Sequence, residues 1–67
     1  MTHRLGITIW VVFPLAKMTL NAKPLGPRLF RNREDAVRYQ DETNHLISIV
    51  YGHNATDHFV QLCEEDL

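Results

Sequence analysis

A chain of 67 residues with 45% apolar and 22% charged residues has room for one small globular domain, spanning 1–67, and is neither a disordered tail, a collagen-like repeat nor a histone-like basic protein. Its single cysteine excludes an internal disulfide framework. A domain of this size buries only about 60% of the surface of its unfolded chain, so a second copy is an expected source of added stability.

The net charge of −1 conceals a split. Residues 1 to 33 carry Arg4, Lys17, Lys23, Arg28, Arg31 and Arg33 and no acid, whereas from Glu34 onward Arg38 stands against eight acids, giving +6 and −7. Such asymmetry fits a dipolar surface, a steered partner, or simply basic and acidic segments folded side by side.

His3 and Arg4 precede an apolar run from Leu5 to Ala16, the outline of a secretory signal, but Leu20-Asn21-Ala22 is a poor cleavage site. The run is also shorter than the roughly 20 residues of a membrane-spanning helix, and Pro14 interrupts it. A cytoplasmic protein without a membrane partner is expected. Within the run Leu5, Ile7, Ile9, Val11 and Phe13 alternate with Gly6, Thr8, Trp10 and Val12, a period of two that predicts a strand ending at Pro14. Apolar Trp10 and Val12 on its second face predict that the strand is central in the sheet or covered on both sides.

From Lys17 to Phe30 a short second strand over Met18, Leu20 and Ala22 leads into a stiff loop, Pro24-Leu25-Gly26-Pro27, which swings Leu29 and Phe30 back toward the core. Asn32, with Asp35 three residues on, predicts a helix cap, and the helix runs from about Arg33 to Asn44, stopped by Asn44 and His45. Leu46 to Tyr51, apolar except for Ser48 and bounded by Gly52, reads as a buried strand. After a loop from His53 to Asp57, Phe59, Val60, Leu62 and Cys63 suggest a last strand, with Glu64 to Leu67 frayed. The fold class is α+β, a small, mostly antiparallel sheet covered by one helix in the order β-β-α-β-β. Phe30, Val37, Ile9, Val11, Ile47 and Ile49 are expected at the centre of its core.

Over residues 5 to 51 this layout of strand, return through Pro24-Leu25-Gly26-Pro27-Arg28-Leu29-Phe30, helix on Glu34-Asp35-Ala36 and further apolar strand resembles the small early proteins of tailed bacteriophages. Those proteins bind host machinery and inhibit or redirect it. The resemblance implies a non-enzymatic inhibitor or modulator of a host protein, and it carries over no functional residue.

The candidate chemistry is thin. His53-x4-His58-x4-Cys63, with His45 and Asp57 nearby, offers zinc-type ligands but lacks the C-x2-C element of a finger or knuckle, so no metal or other cofactor is assigned. Cys63 with a histidine and Asp57 could be drawn as a nucleophile and base, yet so short a chain has little material for both a core and a water-excluding pocket. Gly6, Gly26 and Gly52 are too far apart for a phosphate loop. The expected partner-binding residues are therefore Trp10 and Tyr51, aromatic types enriched at interfaces, and the cations Lys23, Arg28, Arg31 and Arg33. The reading is a protein-binding module, with a homodimer as a further expectation. The alternative is a nucleic-acid-binding accessory protein that uses the basic segment 17–33, with Phe30 as a stacking ring.

Overall fold

A computed structural model describes residues 6–15, 19–20 and 23–67. In chain order its elements are β1 (Thr8–Pro14), β2 (Thr19–Leu20), β3 (Lys23–Pro24), β4 (Arg28–Phe30), helix α1 (Arg33–Tyr51), a 3₁₀ helix (Gly52–His58) and β5 (Val60–Asp66). Strands β4, β1 and β5 form one antiparallel sheet in that order, and β2 pairs with β3 in a separate two-stranded ribbon. The architecture is α+β, one helix against a small antiparallel sheet. As its two apolar faces suggest, β1 is the central strand.

The register fixes which side chains meet α1. Val12 is buried and lies between Arg28 and Leu62, while Val11, on the other face, lies between Leu29 and Cys63. Alternate residues of β1 and β5 therefore point away from the helix, Ile9 and Phe13 among them. The buried centre is Val12, Ala36, Ile47, Ala55 and Val60, with Trp10, Leu25, Phe30, Tyr39, Tyr51, Phe59 and Leu62 packed around it. Of the expected core, Ile47 is fully buried and Phe30 packs on the cluster, but Ile49 is 67% exposed and Ile9 and Val11 sit on the sheet's outer face.

Four expectations about elements are corrected. The stretch Leu46–Tyr51 is not a strand: it continues α1, which passes through Asn44 and ends only at Gly52. Its inward residues Ala36, Thr43 and Ile47, in phase with Gln40 and half-buried Tyr51, keep the helical period throughout. Gly52 stops the helix because it takes φ 58° and ψ −118°, a conformation that side chains disfavour. Arg28–Phe30 is not loop but edge strand β4, ordered by pairing with Trp10–Val12. The residues Glu64–Asp66 are not frayed, since they pair with Thr8–Trp10 and Leu67 N–H donates to Ile7 O at 2.8 Å. The segment His53–Asp57, read as a loop, is part of the 3₁₀ helix. Leu5, Lys17, Met18 and Ala22, named in the sequence reading, lie outside the described residues.

Polar side chains lock the helix to the edge of the sheet. Asn44 Oδ1 accepts from Val60 N–H at 2.8 Å, and Asn44 Nδ2 and Gln40 Nε2 donate to Val60 O at 3.4 and 3.3 Å. Asn32 holds the N-cap position with extended backbone, yet its amide donates to Asp35 Oδ2 at 3.2 Å instead of accepting from the helix. Among the described residues no helix is long and apolar enough to cross a membrane.

Candidate protein-binding surfaces

The six expected partner-binding residues do not form one patch. Trp10, on the helix side of β1 between Phe30 and Glu64, is half-buried against the core. Tyr51, at the end of α1, also packs on the core and stacks on His58 with ring centroids 4.0 Å apart. Arg28 lies over two rings, 4.9 Å from the Tyr39 centroid and 5.6 Å from that of Phe30, and the two rings touch each other at 5.3 Å. Its cation is thereby committed to an aromatic pair. Lys23 is exposed on β3, in the separate ribbon.

Arg31 and Arg33 are brought together at the start of α1. With Trp10, Asn32, Glu34 and Asp35 they line a cleft of about 320 Å³. Two cations face two carboxylates there, so the cleft is close to neutral and offers no concentrated field to a phosphate backbone. Asp35 is additionally drawn to Arg38, Oδ1 to Nη2 at 3.6 Å.

The histidines and the cysteine are not assembled into a reactive group. His58, in the 3₁₀ helix, stacks on Tyr51 and its Nδ1 is buried without a hydrogen-bond partner. Cys63 is on the outer sheet face in register with Val11. Its thiol donates to Glu65 Oε1 at 3.5 Å, and that hydrogen bond, partial burial and the charges of Glu65 and Glu64 together hold its pKa above the usual thiol value. A thiol held protonated is a poor nucleophile and a poor metal ligand. Among the described residues no set of three or more histidine, cysteine or acidic side chains is placed to hold a metal ion.

What the sequence reading missed is apolar surface. On the last turns of α1, Leu46, Ile49 and Val50 are 43%, 67% and 60% exposed. Their i, i+3, i+4 spacing puts them on one side of the helix, beside the inward Ile47. The outer sheet face, with Leu29 64% and Ile7 39% exposed, is a second apolar region. The signal for the first was present in the sequence as an apolar run longer than one helix face can bury; read as a strand, it had no surplus.

Compared with known proteins, the chain matches no family model, no curated protein and no solved structure.

Proposed function

We propose that the protein is a non-enzymatic binding module that acts on another protein by occupying it, with the exposed side of α1 at Leu46, Ile49 and Val50 as its contact. The observation that carries this reading is the surplus of apolar residues there. Ile47 alone of the run Leu46–Val50 enters the core, and the three residues around it that face water are large and aliphatic. Exposed aliphatic anchors at i, i+3 and i+4 are the pattern with which an amphipathic helix fills an apolar groove. Exposed Glu42, His45 and His53 flank the patch and supply a polar rim.

A nucleic-acid reading is less favoured, because Arg28 is stacked on Phe30 and Tyr39 and because Arg31 and Arg33 share their cleft with Glu34 and Asp35. The deciding experiment is affinity capture from a nuclease-treated cell lysate with the wild type and with an Ile49→Lys, Val50→Lys variant. Proteins retained by the wild type and lost by the variant support the assignment. Retention that is unchanged by the two lysines, or that disappears with nuclease, overturns it.

A further inference from the structure

The order β4-β1-β5 leaves β5 along one edge of the sheet, and the phase of the ladder decides which of its backbone groups face outward. Leu67 N–H donates to Ile7 O, so in this antiparallel register Ile9 with Glu65, Val11 with Cys63 and Phe13 with Gln61 are the pairs that exchange hydrogen bonds. Val60, Leu62, Glu64 and Asp66 alternate with them, and their N–H and C=O groups point away from β1. At Val60 both outward groups are met by Asn44 and Gln40, which close the start of the edge. At Asp66 the side chain is engaged, accepting from Thr8 Oγ1 at 3.0 Å. Between them the edge is open. Among the described residues nothing pairs with the Leu62 N–H or C=O or with the Glu64 N–H, and Glu64 O takes only the Cys63 thiol at 3.7 Å.

An edge of this kind is a template for a further strand. The opposite edge is not equivalent, since β4 has three residues and its register turns only Leu29 outward. The open stretch of β5 is also strongly acidic. Glu64, Glu65 and Asp66 are consecutive, exposed and unaccompanied by any cation on the strand, and among the described residues neither Glu64 nor Glu65 is paired with one. Glu64 shares the helix side with half-buried Leu62, while Glu65 shares the outer face with half-buried Cys63. Each face therefore offers a carboxylate beside an apolar residue.

We infer that the edge of β5 takes an extended basic peptide as an added antiparallel strand, whose backbone completes the outward groups of Leu62 and Glu64. In that register two successive cations of the peptide stand opposite Glu65 and Glu64, and the two residues after them, both apolar, stand opposite Cys63 and Leu62. Charge chooses this occupant over a second copy. With Asn44 and Gln40 closing Val60, a second β5 fits only in registers that set Glu64 against Glu64 or Glu65 against Glu65, and like charges directly opposite destabilise a sheet. A nucleic acid is repelled by the same carboxylates. The edge is separate from the Leu46, Ile49 and Val50 surface proposed to bind a target, so either assignment can fail alone.

The test is fluorescence anisotropy of an end-blocked, fluorescein-labelled peptide, two arginines followed by two valines flanked by threonines, with the full chain raised to about 500 µM. Saturable binding is expected. N-methylation of the second arginine and the second valine, whose N–H groups face β5, should weaken it at least about tenfold at unchanged charge, whereas N-methylation of the first valine, whose N–H faces away, should leave it unchanged. A Glu64→Lys, Glu65→Lys protein with the wild-type circular dichroism spectrum should lose the peptide, and Ile49→Lys should keep it. In the wild type the amide hydrogens of Leu62 and Glu64 should exchange fast alone and slow in the presence of peptide, while those of Cys63 and Glu65 are slow in both. No saturable binding, equal binding by the lysine variant, or binding indifferent to the position of the N-methyl groups, which marks charge attraction without a strand, each overturns the inference.

Discussion

Two isoleucines two positions apart have opposite fates. Ile47 is fully buried against β1 and β5, so Ile47→Ala should destabilise the fold by about 2–5 kcal/mol, read from the midpoint of urea unfolding. Ile49→Ala should change stability by no more than about 0.5 kcal/mol, since its side chain is already in water. His58 is a different kind of residue: its ring is useful to Tyr51 and its buried Nδ1 finds no partner. Phenylalanine keeps the stack and removes the orphan, so His58→Phe should leave the unfolding midpoint unchanged or raise it, whereas His58→Ala should lower it. The Cys63 thiol, held protonated mainly by its bond to Glu65, should alkylate with a pH midpoint above that of a free thiol, and Glu65→Gln should bring the midpoint down. Because the folded-state pKa is the higher one, the contribution of this thiol to stability is complete below the ordinary thiol value. It is lost as pH rises through the folded one.

At the scale of elements, the joint between α1 and β5 is the one to break. Asn44→Ala removes the acceptor of the Val60 N–H, a buried donor, and should cost about 1–3 kcal/mol in chemical denaturation, more than Gln40→Ala, which leaves Asn44 on the Val60 carbonyl. These two residues also explain why part of the fold was hard to read. The first strand was legible because Thr8–Pro14 alternates and is rich in β-branched and aromatic residues. The start of α1 was legible from Asn32 and the acids that follow it. Its end was not, because a run of apolar residues suits a buried strand as well as a helix, and because the helical inward face is filled partly by Gln40, Thr43 and Asn44. Gln40 and Asn44 take their meaning from Val60, 20 and 16 positions away, which no local window contains. Strand β4 escaped for the same reason, being three residues ordered by β1. Of the candidate site, the residue types were readable and their direction was not: Trp10 and Tyr51 turn toward the core because of strand register and helix phase.

Among the described residues, the charge split does not resolve into a basic face. Arg28 lies over Phe30 and Tyr39, and Arg31 and Arg33 neighbour Glu34 and Asp35, so generic single- and double-stranded oligonucleotides should show no saturable change in fluorescence anisotropy at about 0.15 M salt, where fields fade within about 8 Å. Tight, salt-sensitive binding would reverse the ranking of functions. The pairing of β1 with β5 has a further consequence, for synthesis. Thr8 and Asp66 meet across 58 positions, so at about 5–20 residues per second the nascent β1 waits roughly 3–12 s for the strand that completes its ladder. During that interval Thr8–Pro14, uncharged and rich in β-formers, is a sticky segment on the emerging chain. The expected consequence is that a pause in translation between Arg33 and Val60 lengthens this exposure and lowers the yield of folded protein, read from the soluble fraction on expression.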